Sequence, residues 1–338
     1  MPVQKYGVLA ARAVARRREG ATDTPHYQIH LKDDSGTDYR AAVNVKSSST
    51  QAPPDLLFAV VDDFRHPVTE LLPQAGSGWH ALSSQPGTGA LDFIRGNLFD
   101  PSSMRILPPD KPGVDNDLAD LLDHYVLRAI DEPTTGVFVF GARFGPEPGQ
   151  PDEVFGFPVG NGVHDVHMNQ GSTDKKFRKD NGVWQDGGLL LHLLPENRWV
   201  AVFLAFQSQK WHTDDVTGQP IDTAPPRPTD REEPLRIVAA LVNPAGPAPE
   251  AETVTLLNAS AAAIDLSGWH LSDQQKHRLR LPSQPLAAGA TLAVTVADGF
   301  QLGNHGGAIT LLNPSGLKIH GVSYTGRQAS AEGRTITF

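Results

Sequence analysis

Residues 164–171, His-Asp-Val-His-Met-Asn-Gln-Gly, place two imidazoles, a carboxylate and two amides within eight positions, bracketed by the turn residues Asn161-Gly162 and Gly171. As extended chain, this stretch sends Val163, Asp165 and His167 to one face and His164, Val166 and Met168 to the other. The two histidines therefore diverge, and His164 is expected toward the core. A carboxylate two residues from an imidazole can orient the ring and raise its basicity, as a general base or a metal ligand requires. Asp165 and His167 form the candidate catalytic pair, with Asn169 and Gln170 as donors for a developing oxyanion or a phosphate. A helix would instead bring His164 and His167 together at i and i+3, where they could share a metal, but the flanking Gly and Asn residues disfavour it.

The same imidazole and carboxylate spacing recurs in Phe-Gln-Ser-Gln-Lys-Trp-His-Thr-Asp-Asp, where a long apolar run ends. His212 and Asp214 are the second candidate catalytic pair, and Gln207 and Gln209 are candidate substrate contacts, because sites are commonly built where strands give way to loops. Two His/Asp pairs would suit an acid and base pair or a divalent metal centre. A third polar set lies in Thr-Pro-His-Tyr-Gln-Ile-His-Leu-Lys-Asp: His26, Gln28, His30 and Lys32 alternate with Tyr27, Ile29 and Leu31. Together with Arg40, the residues His26, His30 and Lys32 could bind an anionic group. Each set also has a structural reading. A lone His near Asp is commonly a satisfied hydrogen bond, and a polar strand face is commonly a solvated sheet surface.

Those residues need a scaffold. An Asp34-Ser35-Gly36 loop with Gly36 left-handed sets His30 opposite Arg40, Leu31 opposite Tyr39 and Lys32 opposite Asp38, which buries apolar against apolar. Residues 115–131 carry Leu118, Leu121, Leu122, Tyr125, Val126, Ala129 and Ile130 at helical spacing, with Asp residues early and Pro133 beyond the end. Residues 135–145, 187–195 and 198–209 read as strands. The last two are apolar on both faces and therefore central, joined through the turn at 195–198. His192 within this apolar run is expected to be a core histidine with a hydrogen-bonded ring.

Composition narrows the chemistry. The chain of 338 residues has no cysteine, which excludes disulfides, thiolate metal sites and cysteine nucleophiles, so any metal must be held by His, Asp, Glu or amides. Its 32 Gly and 28 Pro favour many short strands. Net charge is −9, with 22 basic and 32 acidic residues up to Pro234 and 7 and 6 after it, a balance that disfavours nonspecific binding to a polyanion despite the Arg12, Arg16, Arg17, Arg18 run. Phosphate-loop, nucleophile-elbow, zincin and dinucleotide motifs are absent, so no nucleotide cofactor is expected. No apolar h-region opens the chain and no window approaches a membrane span, which makes a cytoplasmic location the expectation.

The clearest boundary is the Pro- and charge-rich stretch 217–234, expected to link a domain of residues 1–216 to one of residues 235–338. After it, short β-like runs alternate with turn residues at the spacing of a β-sandwich. The sequences "ETVTLLNASAAAIDLSGWHLSD" and "LGNHGGAITLLNPSGLKIHGVSYTG" strongly resemble the lamin-tail domain across residues 235–327. That resemblance implies an immunoglobulin-like sandwich used for interaction or targeting. Trp269 is expected as a core plug and Gly268 as a tight-turn residue. The earlier motifs "KYGVLAARAVARRREG", "GNGVHDVHMNQGS", "DNGVWQDGG" and "FLAFQSQKWHTDDVTGQP" resemble the YukJ-like family of bacterial domains of unknown function across residues 5–222. This second resemblance implies no activity and no catalytic residue. The expected fold is mainly β: a β-rich α+β domain followed by a lamin-tail-like sandwich. The functional expectation is a hydrolase of phosphodiesterase or nuclease type, with a protein or polymer partner for the sandwich. The alternative is a non-catalytic binding or scaffold protein.

Overall fold

The computed structural model describes residues 5–20, 26–45, 57–82, 96–99, 103–106, 113, 117–164, 187–205, 234–246, 251–316 and 318–338. They form two compact units. Strands dominate both, and among the described residues no helix is long and apolar enough to cross a membrane.

Among the described residues the first unit is built on ten strands and one α-helix: β1 (Tyr6–Arg18), β2 (His26–Lys32), β3 (Asp38–Asn44), β4 (Leu57–Asp62), β5 (Gly78–Ala81), β6 (Arg105–Ile106), α1 (Leu118–Asp131), β7 (Gly136–Glu147), β8 (Gly160–His164), β9 (Gly187–Leu193) and β10 (Arg198–Ala205). Strand order is β5-β1-β2-β3-β8-β7-β9-β10-β4-β6, and an additional β1–β7 pairing closes β1, β2, β3, β8 and β7 into a barrel-like ring. The closure works because β1 is long enough to change neighbours. Tyr6–Ala11 pair with β7, and Arg12–Arg18 pair with β2.

Each expected element has a physical counterpart. The β2–β3 hairpin pairs His30 with Arg40, Leu31 with Tyr39 and Lys32 with Asp38, with Gly36 at φ +86°. Alternation buries Tyr27, Ile29 and Leu31 against Tyr39, Ala41 and Val43 on one face. Each such large side chain contributes roughly 1.5–3 kcal/mol by leaving water. The helix packs Leu118, Leu122 and Val126 into the same core, and the Asp117 side chain caps its first turn by accepting from Asp120 N at 3.0 Å. β9 and β10 pair with each other between β7 and β4, and both faces of each are buried, as the neighbours Leu190 and Leu191, and Ala201 and Val202, show. His192 is stacked on Trp199 with ring centroids 4.2 Å apart, and burial lowers its pKa although Asn197 hydrogen-bonds it.

β8 was not foreseen as a parallel partner of β3, and its phase corrects the expectation for His164. Val163 opposes Ala41 and is fully buried, whereas His164 opposes Ala42 and is exposed. The β3–β8–β7 contact decides this phase. It needs Gly162, since a Cβ there would lie 2.0 Å from the Arg40 carbonyl oxygen and 2.4 Å from the Phe144 ring.

The second unit draws its described residues from 65–71, 96–99 and 234–338. Its strands are β11 (Leu235–Leu241), β12 (Thr253–Asn258), β13 (Ile264–Asp265), β14 (His270–Ser272), β15 (Arg278–Arg280), β16 (Pro285–Leu286), β17 (Thr291–Thr295), β18 (Gly306–Leu312), β19 (Lys318–Thr325) and β20 (Thr335–Thr337), with a short α2 (Gly326–Ala329) after β19. Sheets β17-β12-β11-β20 and β15-β14-β18-β19 enclose one core that includes Val254, Leu256, Leu271, Ile309, Leu311 and Tyr324. This is an immunoglobulin-like sandwich. Trp269 is 8% exposed within its core, and Gly268 takes φ +80° in the preceding turn. Two segments from far earlier in the chain lie on β18 and β19. Asn97 Nδ2 donates to the Ile309 carbonyl and to Thr310 Oγ1, each at 2.9 Å, and a Cβ on Gly321 would collide with the Asn97 side chain. His66 Nε2 donates to the Gly96 carbonyl at 2.8 Å, while its Nδ1 accepts from Val68 N at 3.0 Å.

Candidate functional site

The polar face of the β2–β3 hairpin is a continuous hydrogen-bonded network, which overturns the reading of a solvated sheet surface. Gln28 is 1% exposed and Arg40 9% exposed. Arg40 Nε meets Asp152 Oδ2 at 2.7 Å, one terminal nitrogen donates to Gln28 Oε1 at 3.1 Å, and the other donates to Glu153 Oε1 at 2.9 Å. The guanidinium also lies 4.9 Å from the Phe144 ring centroid. Asp152 in turn accepts from Val154 N and Phe155 N, which fixes the turn that begins there. Residues 152–157 thus cover the hairpin. Phe155 and Phe157 each stack on His30 at 5.2 Å between centroids.

From Gln28 the network runs in the opposite direction. Gln28 Nε2 donates to Glu19 Oε1 at 2.6 Å, and Glu19 Oε2 accepts from His26 N at 2.9 Å and faces His26 Nδ1 at 3.4 Å. Burial works to raise the Glu19 carboxyl, but hydrogen bonds from the His26 backbone, Gln28 and the His26 ring outweigh it and hold its pKa below the ordinary value. The chain of contacts ends in a pair of imidazoles. His26 Nε2 and His164 Nε2 stand 3.0 Å apart with the rings edge to face.

Of the substrate-binding candidates, His26, His30, Lys32 and Arg40 share this face, and each has a partner within the protein. His30 Nε2 meets Asp38 Oδ1 at 2.9 Å, and Lys32 Nζ meets the same oxygen at 3.3 Å. The arginines of β1 are also engaged: Arg12 with Asp34, Arg16 with Asp123, Arg17 with the Val154 carbonyl, and Arg18 with Asp120 and Asp123. Asp165, His167, Asn169 and Gln170, with Gln207, Gln209, His212 and Asp214, lie outside the described residues, as does the stretch 217–233. His164 is the described member of the 164–171 cluster, and the structure brings it to the hairpin face. Among the described residues, no group of three or more His, Cys, Asp or Glu is placed to hold a metal ion.

Sequence reasoning missed Glu19, Asp152 and Glu153. Glu19 follows β1 and reaches back to β2, a contact that strand alternation does not encode. Asp152 and Glu153 sit in Pro-Asp-Glu-Val-Phe-Gly-Phe, which has no strand or helix period. The available signal was chemical: an Arg on a hairpin face shared with His26, Gln28, His30 and Lys32 calls for carboxylates from elsewhere.

Comparison with known proteins separates the two parts of the chain. Residues 1–218 match the family described as "Uncharacterized conserved protein (DUF2278)". The chain belongs to the DUF2278 family. A DUF2278-type relative, given as "Uncharacterized protein YukJ" of Bacillus subtilis (strain 168), is 43% identical over 222 residues, covering 65% of this chain and 96% of the relative. Residues 230–326 match the Lamin Tail Domain, in agreement with the sandwich of the second unit. No solved structure matches the chain. The DUF2278 match contains both the hairpin network and the 164–171 cluster.

Proposed function

We propose that the DUF2278 part is a hydrolase of phosphodiesterase or nuclease type acting on a polymeric or anionic substrate, with its site where β8 ends beside β3, across from His26 of β2. The observation that carries this reading is the meeting of His164 with His26: the cluster's first residue stands against the polar hairpin face. In this reading Asp165 orients His167 as base or ligand, Asn169 and Gln170 supply donors, and His212 with Asp214 completes the site. His26, His30, Lys32, Gln207 and Gln209 line it, while Arg40 holds the face in shape. A divalent metal fits this reading better than a row of free cations, because the nearby arginines and Lys32 already face carboxylates or carbonyls. The lamin-tail part, beginning after a linker at 217–234, serves as an interaction module for a protein or polymer partner in the cytoplasm.

A non-catalytic binding or scaffold role has its own supporting observation, the saturation of Arg40 by Gln28, Asp152 and Glu153. An esterase, phosphodiesterase and nuclease screen of the full chain against His167→Ala separates the two. The hydrolase reading expects an activity that the substitution lowers at least a hundredfold. Equal activity in both proteins removes His167 as the base, and no activity in either favours the scaffold role.

A further inference from the structure

We infer that His26 and His164 are two protein ligands of a divalent transition-metal site of the Ni²⁺ or Cu²⁺ class, with Glu19 as the residue that positions His26. The inference deepens the hydrolase reading by placing a metal at that edge, but its own support is geometric.

His26 presents two differently committed nitrogens. Nδ1 faces Glu19 Oε2 at 3.4 Å, so its proton is directed to the carboxylate and Nε2 carries the lone pair. That nitrogen stands 3.0 Å from His164 Nε2. Two neutral imidazole nitrogens at this separation need a shared proton or a cation between them, since two lone pairs would repel. The distance suits a cation held by adjacent ligands. Nitrogens about 2.0–2.1 Å from one ion stand about 2.9 Å apart at a right angle and about 3.4 Å apart at the tetrahedral angle. The observed separation lies near the right-angle value, which is the arrangement of tetragonal and octahedral ions that favour imidazole.

The support behind the pair is unusually fixed for a surface contact. Glu19 is held by Gln28 Nε2 at 2.6 Å and by His26 N at 2.9 Å, and Gln28 is held by the buried Arg40. A carboxylate behind a ligating imidazole raises its basicity and locks its tautomer. His164 is exposed, so water can reach the ion and complete its coordination. A coordination position held by water is open to substrate, as metal-assisted hydrolysis requires.

The test is equilibrium dialysis of the full chain against Ni²⁺, Cu²⁺ and Zn²⁺ with elemental analysis, joined to electron paramagnetic resonance of the Cu²⁺ form. Expected are one ion per chain, coupling to two imidazole nitrogens, loss of that ion in both His26→Ala and His164→Ala, and retention in His277→Ala. Glu19→Gln keeps both ligands and should weaken binding roughly 10–100-fold, which guards against a histidine variant that fails to fold. Absence of a stoichiometric ion, or binding unchanged in His26→Ala and Glu19→Gln, overturns the site and leaves the pair as an N–H···N hydrogen bond. A bound ion in a chain without hydrolytic activity keeps this site and removes the hydrolase reading. Hydrolysis by a chain that binds no stoichiometric ion does the reverse.

Discussion

In the first unit, the segment 152–157 is fastened over the β2–β3 hairpin by charge: Arg40 is 11% exposed at its side chain and Asp152 only 1%, and their ion pair is 2.7 Å long. In the second unit, the neutral Asn97 amide fastens residues 96–99 to β18, and the His66 ring ties residues 66–68 to Gly96. Both solutions satisfy buried polar atoms, but they respond to different insults. A buried ion pair resists pH change near neutrality and fails badly when one partner is removed. A buried neutral histidine tolerates neutral pH and fails when acid forces a proton onto it.

The largest effect expected from this contrast is that of Arg40→Ala, which leaves Asp152 charged, buried and opposed only by backbone amides. Stability should fall by about 3–5 kcal/mol in urea unfolding of the full chain, with hydrogen exchange accelerated in 26–44 and 152–164. A loss below about 1 kcal/mol would show that the Val154 and Phe155 amides suffice for Asp152 and that charge is not what holds the segment.

Acid should act on the other unit. Burial, with the nearby Lys318 charge, lowers the His66 pKa to about 4 against an ordinary 6.5, although the bond to Gly96 opposes the shift. Between those values the unfolded chain binds a proton that the folded one refuses, so stability rises with pH across the interval. The contribution is complete above about 6.5 and is lost as pH falls to about 4, for a total of about 3 kcal/mol at most. Comparing parent with His66→Gln in urea at pH 7.5 and 4.5 isolates it, since other carboxylates titrate in both. An equal acid loss in the two proteins would remove His66 as the sensitive group.

A smaller change is expected for Asn97→Ala. It deletes bonds to Ile309 and Thr310 and places alanine at φ +53°. About 2 kcal/mol should be lost, and Asn97→Gly should recover the backbone part, seen as a partial return of the unfolding midpoint. The smallest effect belongs to Lys32→Ala, whose pair with Asp38 is 46% exposed on the lysine side. Under about 1 kcal/mol should be lost, and high salt should erase the difference. Together the four variants rank burial of the interaction rather than its formal charge.

What could be read from the sequence follows the same division between local and distant. The hairpin register was legible because period-two alternation on both strands allows a single pairing that buries Tyr27, Ile29 and Leu31. The helix and the doubly apolar β9 and β10 were legible for similar reasons, as were the sandwich strands with Trp269 and Gly268. His164 was misjudged because alternation fixes which residues share a face but not which face is inward. That choice was made by Gly162 fitting between Arg40 and Phe144. The polar face was visible as a candidate site, yet its carboxylates Asp152 and Glu153 were not. Residues 66 and 97 gave no sign of lying against strands more than 200 positions later, because no local period records such a contact.

The shared strand β1 carries a consequence for how the protein is made. Its second half can meet β2 as soon as both have left the ribosome, whereas Tyr6–Ala11 must wait for residues 137–142 before the ring closes. During that interval an apolar strand half has an open edge, the condition under which nascent chains pair with the wrong neighbour. Completion of the barrel therefore awaits the synthesis of both β7 and β8, and is slow for its size because the closing contact spans so much chain.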